Sequence, residues 1–319
     1  MSEINPLLSK IHLPGRRFRL PSMGLFYNNG EIDESVVDGE IQVFSMTAID
    51  EISMRSPEYL FTGEAITRVF NRCIPEIKKP MELLSIDVDF LLTALRIVSY
   101  GDVIRIALRC PKCEEKQQER NSAKLDTFMV EIEEKAKEQE IDFDLAWNSP
   151  EVVEKAERIM SKLSTSHNHT INLNNILTNQ TKEVTPDDME TYTVTLSNGQ
   201  VLKMSPLRFS NGVIALQTQD SEINTNLDAA EDYVSFVISA CIDSIDGHSI
   251  KADIVDWAKK LPISLKDEIS NHMEKQGSFG TKFDYNIVCP DCELKREGDA
   301  MLNPITFFTI PSESTGRKS

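Results

Sequence analysis

Apolar positions along the chain fall into short periodic runs, separated by polar stretches rich in turn-forming residues. In TGEAITRVFNRCI, the residues Ile66, Val69, Phe70 and Cys73 recur at helical spacing and share one face. SIDVDFLLTALRIVSYGD carries the strongest helical pattern of the first half. Leu91, Leu95 and Val98 line one face there, with Phe90 beside it. Ser85 and Asp87 are its capping candidates, and Gly101 supplies a stop. SPEYL (56–60) offers Ser as N-cap and Pro at the first helical position, and NSPEVVEKAERIMSKL repeats that start. DAAEDYVSFVISACIDSI reads as an apolar helix, and ADIVDWAKKLP and ISLKDEISNHMEK as shorter amphipathic ones. A period of two appears in IQVFSMT, DVIRIALR and FDYNIV, which predicts strands. Two further alternating runs flank Asn198-Gly199, a pair suited to a type I′ hairpin turn.

Between these runs the pattern fades in three places. Residues 1–38 have little periodicity and read as an extended arm ending in a turn-rich link. STSHNHTINLNNILTNQTKE is polar and Asn-rich, so it reads as a long loop or boundary carrying His167 and His169. The tail 311–319 is small and polar, and reads as disordered. The stretch from 114 to about 165 is charged and helical, and its acidic cluster VEIEEKAKEQEIDFD reads as a solvated helix face. The expected fold class is α+β, mainly helical with a small antiparallel sheet. A core body is expected from 39–115 with 190–310, and an inserted acidic lobe and polar loop from 116–189. Two sequential domains, the second starting near 190, are the alternative.

Composition narrows the class. Apolar residues make up 40% and charged residues 27%, as in ordinary folded proteins. A net charge of −17 opposes a general nucleic-acid binder, which needs a basic face to displace counterions. No apolar run reaches the length of a membrane span, and the start shows no charged region followed by an apolar one. A reducing cytoplasm is therefore the expected setting.

Four of the six cysteines form two matched turns, CPKC (Cys110, Cys113) and CPDC (Cys289, Cys292), each after a strand-like run. Two Cys-x-x-Cys turns can supply the four sulfurs of a closed, tetrahedral structural zinc site. Residues 114 to 288 lie between them, so the site would be zinc-ribbon-like but join N- and C-terminal portions of the chain. The alternatives are a redox Cys-x-x-Cys, which needs a helix N-terminus, and unliganded thiols or disulfides. Cys73 and Cys241 sit among apolar residues and read as buried small hydrophobes. His167 and His169 form a His-x-His pair, but no neighbour in sequence completes a ligand set.

The search for catalysis is negative. Neither Gly-rich phosphate motif is present, nor a G-x-S-x-G elbow, nor H-E-x-x-H. Asp87 and Asp89 are closely spaced, but their position favours helix capping over acid–base work. No catalytic residue is assigned, and the chain does not read as an enzyme.

LPSMGLFY, VFSMTAIDEISMRSPEYLFTGEAITRVFNRCI, VDFLLTALRIVSYGD and CPKC, in that order, resemble the baseplate hub assembly family of T-even-like contractile-tailed bacteriophages. The resemblance covers about the first 115 residues and leaves the acidic insert unmatched. It implies a structural or assembly protein of the tail baseplate hub. Other tail or baseplate proteins would be its partners, in the host cytoplasm during assembly or in the virion tail. A zinc-ribbon regulatory or nucleic-acid-binding protein is the alternative, and an enzyme with a structural zinc a third. On the first reading the basic, aromatic stretch RFRLPSMGLFYNNG docks on another protein through Arg17, Phe18, Leu20, Phe26 and Tyr27. The same apolar residues could instead fold back onto the chain's own core.

Overall fold

The computed structural model describes residues 13–161, 166–214, 227–277 and 279–299. Helices dominate, and the strands form small antiparallel sheets, so the fold class is the expected α+β. Two compact units are present. Among the described residues, the larger gathers 13–103 with Asn172–Phe283, and the smaller gathers Ile104–Ile171 with 284–299. Residues 1–12 of the arm and the tail 311–319 lie outside the described residues.

The larger unit is organised by the helix Ser85–Tyr100. Val88, Phe90, Leu91, Leu92, Leu95 and Ile97 are all buried, so this helix is apolar around most of its circumference rather than along one stripe. Its neighbour Glu64–Cys73 buries the single face that its spacing requires: Ile66, Val69, Phe70 and Cys73. Each such side chain stabilises the fold by roughly 1.5–3 kcal/mol relative to exposure. Gly101, with φ of 90°, ends the first helix as expected.

Its start differs from expectation. The N-cap is Leu84, and neither Ser85 nor Asp87 makes a capping bond. Asp87 turns inward instead and is fully buried. It accepts the Ser22 backbone N–H at 3.1 Å and the Tyr27 hydroxyl, while Tyr27 Oη accepts the Leu84 N–H at 3.0 Å. Burial pushes the Asp87 carboxyl up to about 6, although the bonds from Ser22 and Tyr27 pull it the other way. Burial and the adjacent Asp87 also raise the Tyr27 phenol.

This anchor folds the basic, aromatic stretch back onto the chain's own core. Strand Gly15–Arg19 pairs antiparallel with Glu40–Phe44, with Phe18 opposite Ile41. A tight turn follows. A Cβ on Gly39, whose φ is +69°, would come within 2.8 Å of the Met23 backbone. Leu20, Phe26 and Tyr27 are buried, and Phe26 stacks on Phe279 at 6.0 Å and meets Tyr192 edge-on at 5.1 Å. Of the five expected contact residues, Arg17 stays exposed and Phe18 is half-buried against Phe90.

Three local expectations are corrected. Strands Thr193–Thr195 and Val201–Met204 do form the predicted hairpin, but of its turn residues only Gly199 has positive φ. A Leu196 N–H to Gln200 C=O bond closes a three-residue loop, so the turn is type I with a glycine bulge rather than type I′. The apolar run after 227 is helix only to Ala240. Ile242–Ile245 continues as a third strand beside Val201–Met204, sharing a core with Val194, Leu202, Ile254 and Ile269. The Asn-rich stretch does hold a boundary between the two units, after Ile171, but from Ser166 to Asn179 it is not a loop. Ser166–Asn172 is a strand paired with Val103–Arg109, and Leu173–Asn179 is a helix capped by Asn172. Its inward positions are His167, His169 and Ile171, and an apolar count passes over the two histidines.

In the smaller unit, the helix Pro111–Glu138 buries Phe128, Ile132 and Ala136 on one side and exposes its acidic face, as expected. Trp147 packs on Phe128 and Phe143, and the Lys155 ammonium lies 4.3 Å from the Phe128 ring centre. Strands Asp284–Val288 and Lys295–Asp299 pair antiparallel around the second cysteine turn.

Candidate metal centre

Both cysteine pairs lie in the smaller unit, and each sits where its local sequence places it. Cys110 follows Val103–Arg109 and is the N-cap of Pro111–Glu138, with Pro111 at the first helical position and Cys113 in the first turn. Cys289 follows Asp284–Val288, and the turn closes through Glu293 N–H to Cys289 C=O at 2.9 Å. Glu293 takes a positive φ of 56°, which returns the chain into Lys295–Asp299. The Arg296 guanidinium donates to the Arg109 carbonyl at 2.7 Å, so the two stretches meet beside the turns.

The four sulfurs converge. Cys110 Sγ lies 3.5 Å from Cys292 Sγ and Cys113 Sγ 3.6 Å from Cys289 Sγ, and all four fall within 4.8 Å of one another. Disulfides, at about 2.05 Å, are excluded by these separations, and all six cysteines are free. Four thiolates about 2.3 Å from a tetrahedral ion would stand about 3.8 Å apart, close to the observed spacing. The pairing also runs across the two motifs. Cys110 does open a helix, as a redox Cys-x-x-Cys would, but its sulfur also stands 3.5 Å from Cys292 of the other turn.

The electrostatics point the same way. Burial is the largest influence on the Cys289 thiol and raises it. The backbone N–H groups of Asp291 and Cys292 donate to the sulfur and, with the neighbouring thiols, bring it down to about 6. Cys292 accepts the Leu294 N–H, which lowers it, yet burial and the Cys110 and Cys289 thiols leave it raised. Cys113 is pushed up by burial and by contact with the other three sulfurs. The thiolate is favoured at Cys289 and opposed at Cys113 and Cys292, a conflict that a cation bound among the sulfurs would remove. The arrangement is compatible with a metal site built from all four cysteines.

His167 lies beside it, which sequence reasoning missed. Its Nε2 is 3.6 Å from Asp291 Oδ2, and a ring nitrogen of His167, Cys113 Sγ and an Asp291 oxygen lie within 4.8 Å of one another. His169 follows on the same strand face, with ring centres 6.5 Å apart. The cysteine and carboxylate that no neighbour in sequence supplied come from remote parts of the chain. Cys73 and Cys241 are buried, as expected, and burial pushes both thiols up to about 12.

Among the described residues no helix is long and apolar enough to cross a membrane. Comparison with curated proteins and with solved structures yields no match. A family model described as T4 bacteriophage base plate protein matches residues 55–169, a span that includes Glu64–Cys73, Ser85–Tyr100, the first cysteine pair and His167. Over residues 55–169 the chain is therefore similar to T4 bacteriophage base plate proteins, which supports a phage baseplate protein.

Proposed function

We propose that this protein is a structural or assembly component of the central hub of a phage tail baseplate, acting through protein–protein contacts and stabilised by one structural zinc. The observation that carries the zinc is the convergence of Cys110, Cys113, Cys289 and Cys292 at separations suited to a tetrahedral ion. Soft thiolate donors favour zinc over hard cations, and four of them leave no position for a water or substrate. The ion, when bound, supplies folding free energy rather than catalysis. The hub assignment rests on the baseplate family match and on the order of motifs from Leu20 to Cys113.

For docking, Arg17 and Phe18 are the two of the five predicted contact residues that keep accessible surface. Ile49, Ile52, Tyr59 and Phe61 add exposed apolar side chains on the consecutive short helices Ala48–Met54 and Pro57–Phe61. Assembly in the host cytoplasm, a reducing compartment, would keep the thiols free for metal. Two measurements test the reading. Zinc analysis of the purified chain should give one ion per molecule. Tagged protein in infected cells should retain hub proteins, and a protein that retains none would remove the hub assignment.

A further inference from the structure

We propose that His167 is a positioning residue of the metal centre, donating an Nε2–H hydrogen bond to the Cys113 thiolate of the loaded site. This deepens the zinc reading and rests on it. Four thiolates around a divalent ion leave a net double negative charge, which N–H donors around the sulfurs must offset. The second turn supplies such donors from its backbone: Asp291 and Cys292 to Cys289, and Leu294 to Cys292. Cys110 stands at the N-terminus of a 28-residue helix, where the dipole favours negative charge. Cys113 differs, because the contacts that mark its surroundings are with the other three sulfurs.

Beside that sulfur lies a polar atom without a hydrogen bond. His167 Nε2 is shielded from solvent and makes none, and its nearest carboxylate oxygen, on Asp291, stands off at 3.6 Å. A ring nitrogen of His167 lies within 4.8 Å of the Cys113 sulfur. A buried polar nitrogen left without a partner is costly, so an acceptor for an N–H there is favoured. The strand Ser166–Asn172 holds the ring in place, since its period of two turns His167 and His169 to the same partly buried side. The side chain with the unpartnered ring nitrogen and the Cys113 sulfur are thus neighbours, although residues 114–166 separate them in the chain.

The test uses the full-length protein, stripped by chelator and titrated with Co2+. Affinity is read by competition, and the sulfur-to-cobalt charge-transfer band by absorption. His167→Phe is expected to bind Co2+ roughly 10–100-fold more weakly than wild type, with a shifted band. His167→Gln keeps an N–H and should restore most of the affinity, and Asp291→Asn should leave the band in place. Should the Phe variant not fold, His167→Ala is compared with His167→Gln in the same way. Equal affinity and an unchanged band in His167→Phe would overturn the proposal. A second equivalent of Co2+, or nitrogen ligation abolished by His167→Phe, would also overturn it, because His167 would then be a ligand. A wild-type protein that binds neither Co2+ nor Zn2+ removes the zinc reading itself, and this inference with it.

Discussion

In the larger unit Phe70, Leu91 and Leu95 are completely buried, whereas in the smaller one Phe128, Ile132, Ala136, Ile171 and Ile287 each keep a little exposure. The larger unit spreads its core over several helices and a three-stranded sheet. Among its described residues, the smaller has one long helix, two shorter ones and two ribbons, with four cysteines gathered at one point. Apolar burial grows with the size of a folded body, and small bodies commonly need a covalent or metal staple. On the zinc reading proposed above, the two units would draw stability from different sources: side-chain packing in one, the metal-bound sulfur centre in the other.

The strongest way to break that contrast is to remove the metal. Chelation, or Cys289→Ser, is expected to abolish zinc binding and withdraw on the order of 10 kcal/mol from the smaller unit. Hydrogen exchange should then accelerate through 104–171 while the helix Ser85–Tyr100 stays protected. Equal protection in both units with and without metal would remove the distinction. The converse variant, Leu91→Ala, is expected to cost the larger unit about 2–5 kcal/mol and leave zinc stoichiometry unchanged. Thermal unfolding and metal analysis on the same sample check it.

A third prediction concerns the buried carboxylate. Asp87 holds its proton up to about pH 6 when folded, against a usual value of 3.8. Between those values the unfolded chain binds fewer protons, so this group's contribution makes stability fall as pH rises from about 4 to about 6, by roughly 3 kcal/mol. Denaturant titrations across that window should show Asp87→Asn losing part of the wild-type slope. An identical slope in both proteins would rule out this account of Asp87. The smallest effect is expected at Arg17. Arg17→Ala should change stability by less than about 0.5 kcal/mol, yet reduce the yield of co-purified tail proteins if this residue docks.

How far these features were legible in the sequence depends on the distance over which each is decided. The faces of Glu64–Cys73 and Pro111–Glu138 follow from residues three and four apart, and both were readable. The Ser-Pro starts at 56 and 149 were also local, and Ser56 and Ser149 are indeed N-caps. The hairpin at 193–204 was placed correctly, but its turn type was not, because Asn198-Gly199 is compatible with two loop geometries. Asp87 read as a cap because a carboxylate in a first helical turn usually is one. Packing of residues 20–27 against that turn gave it Ser22 and Tyr27 instead. The strand 166–172 was hidden because histidine fills two of its inward positions.

By itself the sequence determined the helical faces, the α+β class and the grouping of four cysteines into two matched Cys-x-x-Cys turns, since each is set by spacings of a few residues. Tertiary structure alone decided that Cys110 faces Cys292, that Tyr27 closes on Asp87, and that His167 lies beside Cys113. Those meetings join residues far apart in the chain, and they depend on the path of everything between them, which no local pattern encodes.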